Sequence, residues 1–140
     1  PGEYWPCHIE QCLDSEILDW LETKIHLVPI APRNNSFEVL SDYHVFPAAA
    51  ERLALASSDT WMAIMNKDVS ALGRAMKASL DAQLEMFPLM WNDEASHTVA
   101  AFSDDVYGYK ISGAGGGGYI VAISNKPIPN SLKIKIRSSR

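Results

Sequence analysis

Residues 108–124 read GYKISGAGGGGYIVAIS, two apolar runs separated by a segment that holds five of the chain's eight glycines, Gly113 and Gly115, Gly116, Gly117 and Gly118. Glycine loses more backbone freedom on ordering than any other residue, so neither a helix nor a regular strand passes through such a segment. The flanking runs YKIS and YIVAIS are strand-like in their β-branched and aromatic content. The chain is therefore constrained to strand, glycine turn, strand. A tight hairpin needs only about two special residues, such as Asn-Gly. Five glycines exceed that need; they let another backbone or a ligand approach with no Cβ in the way, and their free N–H groups can form a concave anion site.

Two nucleotide motifs share letters with this loop and fail on context. Gly113, Gly115 and Gly118 spell G-x-G-x-x-G, but that fingerprint needs a helix N-terminus after the glycines and an acidic residue about 20 positions on. Here a strand-like run follows, and Lys135, Ile136 and Arg137 stand at that distance. A phosphate-binding P-loop requires Lys then Ser or Thr after the last glycine. Tyr119 and Ile120 occupy those places.

The remaining chain alternates clear elements with one long connection. Asp14 or Ser15 caps a short amphipathic helix over residues 14–22 that carries Ile17, Leu18 and Leu21 on one face. KIHLVPI follows as a strand, with Ile25, Leu27 and Pro29 alternating against His26 and Val28, and Pro29 marking its end or an edge. Residues 31–45, rich in Pro, Asn and Ser, form a long exposed connection and a candidate binding segment. Arg33 lies in it, and a guanidinium there can clamp a phosphate bidentately.

Pro47 opens a second helix with apolar positions at Leu53, Ala56, Met62 and Met65. Asp68 caps a third, in which Val69, Leu72, Met76, Leu80, Leu84 and Phe87 recur at spacings of three and four before Pro88 stops it. Asn92 or Asp93 caps a further helix over EASHTVAAF. At the end, SLKIKIR alternates Leu132, Ile134 and Ile136 with Lys133, Lys135 and Arg137, a half-buried strand with one basic face. Strands at both ends and helices between predict a single α+β domain over residues 1–140, an antiparallel sheet with helices packed on one face.

Composition excludes some partners. A formal net charge of −5 provides no clustered positive field for nucleic acid or an anionic membrane. No run is apolar for long enough to span a bilayer, and the N-terminus lacks the pattern of a secretory signal, so the expected location is cytoplasmic. Cys7 and Cys12 read as reduced thiols, and with His8 they match no zinc spacing, so no metal site is expected. The first residue is Pro1 rather than Met, which reads as processing or as a piece of a longer protein.

The segment GYKISGAGGGGYIVA resembles the third, C-terminal motif of the GHMP kinases, the superfamily of galactose, homoserine, mevalonate and phosphomevalonate kinases. The similarity covers residues 108–122 closely. DVSALGRAMKASLDAQLEMFP is similar to the helix that the family places before that motif, and LVPIAPR to the start of its C-terminal domain, with sugar kinases of the heptose-phosphate and fucose type nearest. The resemblance implies a GHMP C-terminal domain, related to the ferredoxin-like fold. It implies transfer of the ATP γ-phosphoryl group to a sugar or sugar phosphate, with ATP and Mg²⁺ as cofactors of the complete enzyme. It marks Ser112, Gly113, Ala114, Gly115, Gly116, Gly117 and Gly118 as lining the substrate and phosphate cleft, with Lys110 and Arg33 as possible substrate contacts.

Departures from the family pattern bear on activity. The family's ATP loop, of the Pro-x-x-x-Gly-Leu-x-Ser-Ser type, occurs nowhere in the 140 residues, and nor does its N-terminal substrate motif. The chain alone is therefore expected to be inactive, to bind no cofactor, and to work with an N-terminal GHMP kinase domain as partner. A second reading is a non-catalytic binding or interaction module that retains the fold.

Overall fold

A computed structural model describes residues 6–137. Helix α1 spans Ser15–Lys24, and Asp14 caps it, its carboxylate accepting from the N–H of Glu16 at 2.8 Å and of Ile17 at 3.3 Å. Strand β1, Ile25–Pro29, follows without a break. Three helices come next: α2 at Pro47–Met65, α3 at Val69–Met86 and α4 at Asp93–Ala100. Each starts as its local chemistry dictates. Pro47 sits in the first turn of α2. Asp68 accepts from Ala71 N–H, and Asn92, rather than Asp93, accepts from Ala95 N–H, each at 2.9 Å.

Strands β2 (Gly108–Ile111), β3 (Tyr119–Ile123) and β4 (Leu132–Lys133) complete one sheet of order β2-β3-β1-β4, every neighbouring pair antiparallel. Since β1 and β2 both run opposite to β3, they are parallel to each other, and α2, α3 and α4 form the crossover between them. This is a split βαβ arrangement.

The register decides what the sheet buries. Val28, Ile120, Ile111 and Ala122 share one face, and Ile25, Ile123, Gly108 and Lys110 share the other. The first face meets Met90, Ala95, Val99, Phe102 and Ile128 in the larger core cluster. On the second, Ile123 packs with Leu72 and Ala63, joined by Trp20 and Leu21 of α1. Both faces are covered, which corrects the expectation of helices on one face only. The physical reason is that a strand such as β3, with Ile120, Ala122 and Ile123 all at 0% exposure, has apolar atoms to bury on both sides.

Three local expectations change as well. In β1 the buried residues are His26 and Val28, while Ile25 and Leu27 are half-buried. Met62 and Met65 of α2 are exposed; the helix buries Ala49, Ala56 and Ala63, small side chains that let α3 approach closely. The terminal strand pairs only at Leu132 and Lys133, both exposed, so SLKIKIR is an edge segment rather than a full half-buried strand.

Candidate functional site

The glycine segment leaves β2 and returns as β3, and its path is set by contacts with its own chain. The N–H of Gly116 donates to Met90 O at 3.0 Å, Ile30 N–H donates to Gly118 O at 2.9 Å, and Gly118 N–H donates to Ala31 O at 3.3 Å. A Cβ on Gly115 would stand 2.3 Å from Met90 O, and one on Gly117 would stand 2.5 Å from Arg33 N. Those distances admit no side chain, and the φ of Gly115, +76°, is one that other residues rarely adopt. Much of the glycine excess therefore seats the loop between residues 31–37 and the turn at Pro88–Met90.

What the loop leaves open is its outer rim. Ser112 and Gly113 are exposed and Ala114 is half-buried. Ser112 N–H closes the ladder by donating to Tyr119 O at 2.9 Å, whereas the N–H groups of Gly113 and Ala114 have no hydrogen-bond partner among the described residues.

Arg33 joins this rim. Its Nε donates to Gly115 O at 3.0 Å, and its guanidinium carbon lies 5.5 Å from the centre of the Phe37 ring. The two Nη groups have no partner among the described residues. One hydrogen bond and an aromatic surface thus hold the cation in place while four N–H bonds stay free.

Lys110 does not belong to this group. Strand alternation sends it to the face covered by α3, where Nζ donates to Ser79 Oγ at 3.0 Å. Burial, with no carboxylate to offset it, pushes its ammonium below the ordinary lysine value. Lys110, expected as a possible substrate contact, is half-buried and hydrogen-bonded to Ser79 of α3. One turn further along that helix, Gln83 has a buried Oε1 with no partner among the described residues.

A cleft of about 370 Å³ opens beside the loop, lined by Asn34, Ser36, Phe37, Glu38, Trp91 and Asn92, with Gly116 against the Phe37 ring. The sequence marks residues 31–45 as a binding segment as a whole. Trp91 and Asn92 carried no sequence signal as site residues: one follows a proline turn and the other reads as a helix cap. Only the fold sets them opposite Asn34 and Phe37.

Among the described residues no three His, Cys, Asp or Glu side chains are grouped as they would be to hold a metal ion, and Cys7 and Cys12 are free thiols. No described helix is long and apolar enough to cross a membrane. Compared with known proteins, the chain matches no family and no curated protein.

Proposed function

We propose that the chain is the C-terminal domain of a GHMP-type sugar kinase and supplies the glycine loop to a cleft where phosphoryl groups and sugar meet. The observation that carries this reading is the rim itself: Gly113 and Ala114 have N–H groups without a partner among the described residues, and Arg33, whose Nε donates to the carbonyl of the next residue, Gly115, has free Nη groups. Backbone N–H groups in succession and a fixed guanidinium are the donors that an anionic oxygen cluster needs. The sequence similarity over residues 108–122 and the split βαβ sheet support the same reading, since the motif falls on the β2–β3 connection.

The 140 residues do not include the family's ATP loop, and among the described residues no three His, Cys, Asp or Glu side chains are grouped to hold a metal ion. In this reading nucleotide and metal belong to an N-terminal kinase domain, and the residues here orient and neutralise. Phosphoryl transfer depends largely on such positioning and charge stabilisation.

The test is ATP-dependent phosphorylation of a panel of monosaccharides and sugar phosphates by the full-length native protein. Arg33→Gln is expected to lower kcat/KM by at least about tenfold, the scale of one charge-assisted contact. Phosphorylation by residues 1–140 alone would overturn the proposal, as would a full-length protein that turns over no sugar. Binding without turnover would favour the non-catalytic module.

A further inference from the structure

The cleft beside Phe37 has a different chemistry from the Arg33 rim. Two of its amides are half engaged: Asn34 Oδ1 accepts from Ser36 N–H and Oγ–H, each at 3.1 Å, and Asn92 Oδ1 accepts from Ala95 N–H at 2.9 Å. In both residues the Nδ2 donors remain free among the described residues. Glu38 offers the opposite function. Its backbone carbonyl accepts from Ser41, but its carboxylate has no partner among the described residues.

Trp91 and Phe37 supply the apolar surfaces. Trp91 is held by its Nε1–H donating to Ser96 Oγ at 2.8 Å and by a tilted contact with Tyr109, ring centres 6.1 Å apart. Phe37 is held between Gly116 and the Arg33 guanidinium. Among the described residues no lysine, arginine or histidine lines the cleft itself, and the Arg33 guanidinium lies 5.5 Å from the centre of the Phe37 ring. Its volume, about 370 Å³, lies within the roughly 300–1,000 Å³ of small-molecule sites.

Amide donors and a carboxylate acceptor beside aromatic surfaces complement a ring that bears hydroxyl groups and apolar C–H patches. The Glu38 carboxylate has no ion-pair partner among the described residues, and it disfavours a second anion by direct repulsion. We infer that this cleft seats an uncharged polyhydroxyl ring, and that Glu38 sets its specificity by accepting from the ring's hydroxyls and repelling rings that carry a negative charge. The inference rests on the sugar-kinase reading for its biological setting, but not for its geometry. It separates the two ends of the site: anionic oxygens at Gly113, Ala114 and Arg33, and a neutral ring at Asn34, Glu38, Trp91 and Asn92.

The test is a two-probe titration of the chain followed by NMR, reading the Trp91 indole N–H and the Asn34 and Asn92 side-chain amides at one end and the Gly113 and Ala114 amides at the other. Neutral methyl hexopyranosides are expected to shift the Trp91 end. The corresponding methyl uronosides, the same rings with a carboxylate, are expected to bind that end about tenfold more weakly, the scale of one like-charge contact near a surface. Glu38→Gln, an exposed loop change that leaves the fold intact, is expected to remove most of that discrimination and to weaken the neutral ring as well, because a charged acceptor is exchanged for a neutral amide.

Equal binding of neutral and anionic rings, discrimination that survives Glu38→Gln, or no shift at Trp91 with any neutral hexopyranoside would each overturn the inference. Inorganic phosphate is the separate probe of the anion end. If phosphate leaves Gly113 and Ala114 unmoved while the neutral ring binds, the proposed phosphate rim fails and the ring cleft stands; the reverse outcome has the reverse meaning.

Discussion

Gly73 of α3 and Gly108 of β2 are in direct contact: a Cβ on Gly108 would lie 1.9 Å from Gly73 O, and one on Gly73 would lie 2.3 Å from the Tyr107 carbonyl carbon. Helix and strand meet at a separation that only hydrogen atoms allow. The consequence reaches the site, because α3 leads directly into the Pro88–Met90 turn against which the glycine loop rests.

Gly73→Ala and Gly108→Ala are each expected to destabilise the domain by about 3 kcal/mol, the upper part of the usual range for overpacking. Urea unfolding would check this. A loss below about 1 kcal/mol in both variants would mean that α3 moves off β2 freely, contrary to such a contact.

The loop glycines are expected to differ among themselves. Gly113 has a φ of +68° with open space where its Cβ would be, so Gly113→Ala should cost about 1–2 kcal/mol from backbone conformation alone. Gly115→Ala meets the Met90 carbonyl as well and should cost clearly more. Thermal unfolding of the two variants side by side distinguishes them, and equal losses would contradict the close approach at Met90.

Arg33→Lys retains the charge but loses the Nε donor to Gly115 O and the flat surface over Phe37. A loss of about 1–2 kcal/mol is expected for the hydrogen bond and stacking together. Faster amide hydrogen exchange at Gly116 and Gly118 should accompany it, since their partners Met90 O and Ala31 O flank the same segment. Unchanged exchange there would show that the loop holds its course without Arg33.

Stability should fall on mild acidification through His26. The side chain is 1% exposed, with Nε2 donating to Ser124 O at 3.3 Å and Nδ1 facing Ser131 Oγ at 3.5 Å. Burial, and then the charge of Lys133, push its pKa below the ordinary value. The unfolded chain therefore takes up a proton more readily than the folded one. His26 contributes its full stability above about pH 6.5 and loses it progressively as the pH falls below that value, until the folded form also protonates. His26→Gln should flatten this limb of a urea midpoint against pH profile, and a limb of unchanged slope would assign the effect to other groups.

Lys110→Met should stabilise the domain or leave it unchanged at neutral pH. Its ammonium has a hydroxyl partner in Ser79 and no carboxylate, so an apolar side chain of similar length removes a desolvation cost. A lower melting temperature would show that the Ser79 contact outweighs that cost.

Much of the fold can be read along the chain because local chemistry governs it. Asp14, Pro47, Asp68 and Asn92 start their helices through caps that need only neighbouring atoms, and Pro88 ends α3 for an equally local reason. The β2–β3 hairpin follows from two strand-like runs around a segment that no regular element tolerates. Periodicity misled where partners decide. Met62 and Met65 keep helical spacing, yet α3 packs on the alanines, and Leu132, Ile134 and Ile136 alternate beside an edge where only two residues find a strand to pair with.

The sequence by itself determined the four helices, the first three strands, their order, and the place where the backbone must run without side chains, since each depends on contacts within a few residues. The tertiary structure alone decided what fills the space those glycines leave: Met90, Phe37 and the backbone of Arg33, brought from 25 or more positions away. It also turned Lys110 toward α3 and set Trp91 and Asn92 across from Asn34 and Glu38. The reason is physical. Register and helix packing are fixed by burial on both sheet faces at once, a sum over residues remote in sequence, and no local pattern carries that information.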